Sequence, residues 1–272
     1  MLTEITPLIL TYNEAPNLER TLERLSWAKE IVVLDSFSTD KTLVIAQNHP
    51  QVRIVQRKFD SHSAQWNFGL TLCSTDWVLA LDADYVLTGE LMTELQAFQP
   101  VPGVGAYCAR FAYCIAGRRL RGTLYPPHAV LFRRDSHHYE QDGHTQQLLV
   151  TGSTDWLRGI ILHDDRKPLG RWFWAQDRYA CLEADKLLGK SIAELNFQDR
   201  LRRCIVIVPV LVFFYALLAK GLILDGWPGW FYVFQRVYAE LLLSLRLLVR
   251  QVLLIFRPSS KTDFAPRSSR LC

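Results

Sequence analysis

The sequence predicts an α/β fold: one domain with a mostly parallel central sheet, followed by a C-terminal hydrophobic and amphipathic helical hairpin. Three observations carry this expectation. Short apolar runs ending in polar or acidic residues alternate with helical segments over the first 100 residues, as in parallel strands covered by helices. The run Trp77-Val-Leu-Ala-Leu81 leads directly into Asp82-Ala-Asp84. Charge is also segregated: residues 201–272 carry ten Lys/Arg against three acids, whereas the first 200 carry 21 against 24.

Taken in order, Ile5 to Leu10 is an apolar strand, and Thr11-Tyr12-Asn13-Glu14 is the loop at its carboxyl end. Ala15 to Leu25 has helical spacing through Leu18, Leu22 and Leu25. Ile31-Val-Val-Leu-Asp35 is a second buried strand. Ser36 to Asp40 forms a turn and cap leading into a helix from Lys41 to Gln47. Val52 to Val55 is a third strand, and Ser61 to Leu72 a helix containing Gln65, Asn67 and Gly69. The fourth strand then delivers Asp82 and Asp84.

In extended geometry, residues two apart share a side, so both carboxylates serve one site. Ligands of open α/β sheets bind at the carboxyl ends of the strands. Mg²⁺ takes one or two carboxylates and completes its shell with water and substrate phosphates. The pair therefore suits a divalent cation and a phosphate-bearing ligand, with two solvated aspartates at a strand end as the plain alternative. Three strands converging on one edge with Asn13/Glu14, Asp35 and Asp82/Asp84 point to a nucleotide site.

The segments Thr11-Tyr-Asn-Glu, Val32-Val-Leu-Asp-Ser-x-Ser-Thr-Asp40 and Leu81-Asp-Ala-Asp together resemble the nucleotide-binding half of family 2 glycosyltransferases. A weaker likeness through Tyr125-Pro-Pro, Leu131-Phe-Arg-Arg, Ile161-Leu-His163 and Gln176-Asp-Arg-Tyr-Ala is similar to the branch that includes lipopolysaccharide-core glucosyltransferases. The resemblance implies an A-type (Rossmann-like) glycosyltransferase fold, a nucleotide-sugar donor, a divalent cation (Mg²⁺ or Mn²⁺) and inversion at the anomeric carbon. It implies that Thr11, Tyr12, Asn13, Glu14, Asp35 and Ser36 hold the base and ribose. Asp82 contacts ribose or sugar, and Asp84 ligates the metal, with Asp82 and His163 as further metal candidates. Gln65 and Asn67 stand where the family often has Arg and Asn facing the donor, so Asn67 is the donor-binding candidate of the two. Absence of G-x-G-x-x-G after the first strand argues against a dehydrogenase.

Residues 100–165 read as strand-like and polar. Inverting transfer needs a carboxylate to take the acceptor hydroxyl's proton. In Tyr139-Glu140-Gln-Asp142-Gly-His144-Thr145, Asp142 is the first candidate and Glu140 the second, and His144 is placed to orient Asp142. Thr145 stands where the family's Val-His-Glu pattern has its Glu, and an incidental D-G turn is the alternative. Arg118-Arg-Leu-Arg121 is either a solvated hairpin tip or a surface facing an anionic acceptor. Arg178, on a Trp-rich amphipathic helix, is a candidate for neutralising the leaving diphosphate.

From Cys204 to Ala219 sixteen residues carry no charge, which is marginal for a span of about 20 residues. A helix from about Phe231 to Phe256 places Arg236, Glu240, Arg246 and Arg250 in one arc. That is the pattern of an interfacial anchor whose arginines meet anionic lipid, with a helical hairpin packed on the catalytic domain or in a dimer as the alternative. The six cysteines (73, 108, 114, 181, 204 and 272) have no C-x-x-C spacing and read as separate reduced thiols. The N-terminus lacks the basic and apolar regions of a signal peptide. No nucleic-acid signature is present, so nucleic acid is not an expected partner.

The expected organisation is a nucleotide-sugar-binding half at 1–100 and an acceptor-binding half at 101–200. A membrane-associating hairpin at 201–257 and a basic tail at 258–272 follow. The expected activity is metal-assisted transfer to a lipid-linked or cell-envelope glycan at the cytoplasmic face of a membrane. Two alternatives are a nucleotidyltransferase, disfavoured because Thr11–Glu14 is neither basic nor Gly-rich, and a non-catalytic membrane scaffold that keeps the fold.

Overall fold

The computed structural model describes residues 4–143 and 145–255; His144 and the basic tail at 258–272 lie outside them. The first half is β1 (Ile5–Thr11), α1 (Leu18–Glu23), β2 (Ile31–Asp35), α2 (Thr42–Gln47), β3 (Val52–Gln56), α3 (His62–Leu72) and β4 (Trp77–Asp82). It continues through β5 (Tyr85–Leu87), α4 (Gly89–Gln96), β6 (Val104–Ile115), β7 (Arg118–Arg119) and β8 (His128–Arg133). Then come β9 (His138–Asp142), β10 (Thr145–Leu149), β11 (Ser153–His163) and four helices: α5 (Leu169–Gly189), α6 (Phe197–Arg202), α7 (Ile207–Phe214) and α8 (Trp227–Ile255).

The main sheet has the order β3-β2-β1-β4-β8-β6-β11-β5, with β7 paired to β6. Strands β1, β2, β3, β4, β6 and β11 run one way, while β8, β5 and β7 run antiparallel to their neighbours. The sheet is thus α/β and mostly parallel, and its N-terminal half, β3-β2-β1-β4, is wholly so. Continuous burial makes this half readable: every residue of β2, and Trp77 to Leu81 of β4, is buried. Strands β9 and β10 form a separate antiparallel hairpin.

Helix boundaries follow local chemistry. Ser61, expected as the first helical residue, is the N-cap of α3, and its hydroxyl accepts from the Ala64 N–H at 3.2 Å. Thr88 caps α4 in the same way. Helix α4 lies so close to β11 that a Cβ on Gly159 would sit 2.5 Å from Leu91 Cα, backbone that cannot yield. The five described cysteines are free thiols.

In the C-terminal region, Pro209 occupies the first turn of α7, where its missing N–H breaks no helical bond. Helix α7 passes into a π turn at Tyr215–Ala219 and a 3₁₀ turn at Leu222–Asp225. Gly221 and Gly226, at φ of 69° and 61°, reverse the chain into α8. Among the described residues no helix is long and apolar enough to cross a membrane. The arc of α8 that carries its charges differs from the open cationic face expected. Arg246 pairs with Asp177, Arg250 with Asp185, and Glu240 with Arg202 at 2.9 Å. Acids of α5 and the arginine of α6 partner Glu240, Arg246 and Arg250, while Arg236 lies over the Tyr232 ring at 5.6 Å, so this arc faces the protein.

Candidate active site

The carboxyl ends of β1 and β2 are fastened to each other. Asp35 is fully buried and accepts from Thr11 Oγ1 at 2.9 Å, the Ser38 N–H at 2.8 Å, the Ser38 hydroxyl and Gln56 Nε2 at 3.1 Å. Asn13 adopts a left-handed φ of 55°, which aims its side-chain oxygen at the Thr39 N–H (2.8 Å) and the Asp40 N–H (3.3 Å). The Glu14 N–H donates to Thr42 Oγ1 at 2.8 Å. Ser36 Oγ accepts from Gln65 Nε2 at 3.0 Å, and Gln65 is itself held by Arg57. Thr11, Asn13, Glu14, Asp35 and Ser36 thus come together as one loop cluster. Tyr12 stands out of it, 41% exposed, with the Arg171 guanidinium 4.9 Å from its ring centre.

Asn67 is bound to the backbone of β9. Its amide donates to the Tyr139 carbonyl and accepts from the Tyr139 N–H, both at 2.8 Å, which pins the β9–β10 hairpin to α3.

At the end of β4 the situation reverses, because polar atoms are buried without partners. His163 Nε2 lies 3.3 Å from Asp84 Oδ2. Asp84 Oδ1 and His163 Nδ1 are buried with no hydrogen-bond partner among the described residues. Burial pushes the Asp82 carboxyl up to about 6, and the neighbouring Asp84 charge adds to the rise. Burial works the same way on Asp84, yet the His163 imidazole outweighs it by charge and hydrogen bond and holds Asp84 at about 2. The Thr21 hydroxyl fixes the turn between the two aspartates by donating to the Ala83 carbonyl at 2.7 Å.

Sequence reasoning missed the cation of this site. Lys167 Nζ lies 2.7 Å from Glu14 Oε1 and 3.6 Å from Asp165, and it also acts electrostatically on Asp82 and Asp84. Glu14 is pushed up to about 7 by burial; Lys167 opposes the rise and the Asp84 charge reinforces it. An aromatic wall was missed as well. Tyr85 and Tyr125 share a hydroxyl–hydroxyl hydrogen bond, and the rings of Tyr113 and Tyr125 lie 4.6 and 4.8 Å from His163. The only local signal for Lys167 was its place four residues after His163.

Asp164, buried beside His163, fastens the neighbourhood. It pairs with Arg20 of α1, accepts from Arg166 at 2.8 Å, and accepts from the Gly117 N–H at 3.3 Å in the β6–β7 turn.

Among the described residues no group of three or more His, Cys, Asp or Glu forms a complete metal cage. The donor set nevertheless suits a cation that needs one or two carboxylates. Asp84 presents an unpartnered buried oxygen beside a second carboxylate, Asp82.

The remaining candidates lie on α5 and the β9–β10 hairpin. The Arg178 guanidinium is 5.4 Å from the Phe59 ring centre. Asp142 is 2.9 Å from Lys186 Nζ and 3.4 Å from Lys190 Nζ, so α5 holds it. Glu140 is exposed, with His138 Nε2 at 3.7 Å.

The glycosyl transferase family 2 profile matches residues 8–157. An uncharacterized glycosyltransferase of Rickettsia bellii is 37% identical over 94 residues, 34% of this chain and 32% of that protein. A lipopolysaccharide core biosynthesis glycosyltransferase, LpsC, of Rhizobium meliloti is 28% identical over 198 residues, 67% of this chain and 71% of that protein. The crystal structure of S. aureus TarS 1-349 with UDP-GlcNAc superposes with a TM-score of 0.46 at 13% identity, covering 94% of this chain and 93% of that one. The chain thus spans about a third of the length of the Rickettsia relative. By the match over more than half its residues, the chain belongs to glycosyl transferase family 2.

Proposed function

We propose that this protein is an inverting glycosyltransferase that moves a sugar from a nucleotide-sugar donor to a hydroxyl of a lipid-linked or cell-envelope glycan. The observation that carries the reading is the Asp82/Asp84/His163 cluster, with its unpartnered Asp84 oxygen, at the carboxyl edge of a parallel sheet. The likeness to the lipopolysaccharide core biosynthesis glycosyltransferase of Rhizobium meliloti supports the envelope acceptor.

On this reading, the loops organised by Asp35 and Asn13 receive the base and ribose. Thr11, Glu14 and Ser36 shape the wall, and Tyr12 offers a stacking face backed by Arg171. Asp84, with Asp82, holds Mg²⁺ or Mn²⁺, and His163 orients Asp84. The bound cation supplies positive charge against the departing diphosphate. Lys167 adds a fixed positive charge beside the same carboxylates, and Arg178 stands further along α5 as a second cation for the leaving group. The acceptor proton goes to a carboxylate of the β9–β10 hairpin, with Asp142 and Glu140 as its two candidates. Residues 201–257 keep the enzyme at the cytoplasmic face of a membrane.

Thermal-shift titration of the full chain with UDP-, GDP-, ADP- and dTDP-sugars, with and without Mn²⁺, tests the donor site. A donor at a hundredfold excess over its Kd stabilises by about 2.7 kcal/mol. A metal-dependent shift with one nucleotide class, lost in Asp84→Asn, is expected. A folded sample that responds to none of the donors overturns the reading in favour of a non-catalytic scaffold.

A further inference from the structure

We propose that the protein seats on an anionic lipid leaflet through two elements: the outward apolar face of α7 and α8, and the arginine pair Arg118 and Arg119 of β7. The inference deepens the membrane part of the reading above and needs no donor chemistry.

Helix α8 is amphipathic with its faces reversed relative to a helix on a soluble core. Its charged residues face α5 and α6, where Arg246, Arg250 and Glu240 have partners. On the other side Phe234, Tyr238, Leu241, Leu245, Leu248 and Val252 recur at intervals of three and four and are all exposed. Val210 and Phe214 of α7 are exposed as well. A contiguous apolar surface of this kind marks an interaction site.

The rim of that surface identifies the occupant. The segment that follows β7 is fastened to the turn between α7 and α8. A Cβ on Gly122 would lie 2.5 Å from the Lys220 carbonyl, the Arg121 N–H donates to Asp225 at 2.9 Å, and Leu120 is buried with Leu217, Leu222 and Tyr232. Arg118 and Arg119 therefore stand beside the apolar face. Both are exposed and have no ion-pair partner among the described residues. Lys220, its Nζ 5.5 Å from the Tyr215 ring centre, and exposed Trp227 complete a cationic and aromatic border. Apolar side chains bordered by aromatics and arginines match acyl chains beneath anionic headgroups.

The seat is also close to the catalytic cluster. Tyr113, packed with Leu120 and Tyr232, has its ring 4.6 Å from His163. One ring thus separates the buried cluster beneath α7 and α8 from the Asp84/His163 pair. A lipid-borne acceptor reaches it by lateral diffusion.

Sedimentation of the full chain with phosphatidylcholine vesicles, and with vesicles that also contain phosphatidylglycerol, tests the proposal. Preferential binding to the anionic vesicles is expected. Each basic residue near the surface contributes about fivefold, so Arg118→Gln/Arg119→Gln should weaken anionic-vesicle binding roughly 25-fold. Leu241→Glu/Leu245→Glu should abolish binding to both vesicle types. Both variants should retain the donor-induced thermal shift, which separates failure here from failure of the donor reading. Equal binding to the two vesicle types, or anionic binding indifferent to the arginine variant, overturns the proposal. So does absence of vesicle binding with a dimer in sedimentation velocity that the Leu241/Leu245 variant dissolves, which would make a second copy the occupant.

Discussion

Two buried aspartate sites occupy the same edge of the sheet and differ in kind. Asp35 accepts from the hydroxyls of Thr11 and Ser38, the Ser38 N–H and the Gln56 amide, so its charge is spent inside the protein. Asp84 has one oxygen on His163 and the other buried without a partner, beside a second carboxylate. A carboxylate saturated by its own chain builds a loop, whereas one left short of partners awaits a ligand. Buried polar groups without partners are costly and rare, which is what makes the second arrangement the basis of the donor-site proposal.

The sharpest break of this comparison is Asp84→Asn. Sugar transfer should fall by about 10²–10³-fold, and the Mn²⁺-dependent donor shift should vanish. The urea midpoint should fall only by what the lost pair with His163 contributes. Asp35→Ala should behave in the opposite sense. It leaves the Thr11 hydroxyl, the Ser38 N–H and the Gln56 amide without their acceptor, so unfolding in urea should show a loss of about 3 kcal/mol.

A smaller effect tests the electrostatics between the two sites. Glu14 is raised to about 7 when folded, above its ordinary value of 4.5. A raised carboxyl contributes stability that is fully present below the unfolded value and lost as pH rises through the folded one. Between pH 5 and 8 the stability advantage of the native chain over Glu14→Gln should therefore shrink, by about 2 kcal/mol, as followed by urea midpoints across that range. The smallest effect expected is that of Lys167→Gln, which removes one cation among several charges. The donor KM should rise about tenfold, equivalent to about 1.4 kcal/mol, with the fold intact by circular dichroism.

The N-terminal half of the sheet was legible because its determinants are local. Buried parallel strands read as unbroken apolar runs, and Asp35, Asp82 and Asp84 follow them directly in sequence. The rest of the site depends on partners far apart in the chain. Lys167 meets Glu14 across 153 residues, and nothing around either residue announces the other. The periodicity of α8 revealed an amphipathic helix but not which face turns inward; Asp177 and Asp185 on α5 decide that. Asn67 and Asp142 were picked out because their types suit the chemistry; the structure adds that Asn67 binds the Tyr139 backbone and Asp142 pairs with Lys186 of α5 and Lys190 at its end.

The role of Asp164 also bears on inheritance. This carboxylate ties α1, the segment after β11 and the β6–β7 turn into one knot, with Arg20 contributed from 144 positions earlier in the chain. The two halves of the catalytic domain are therefore not independently exchangeable. A recombinant joining the first hundred residues of one relative to the remainder of another must bring a matched Arg20–Asp164 pair. A mismatched cross would strand a buried charge, so such pairs should travel together whenever family members are shuffled.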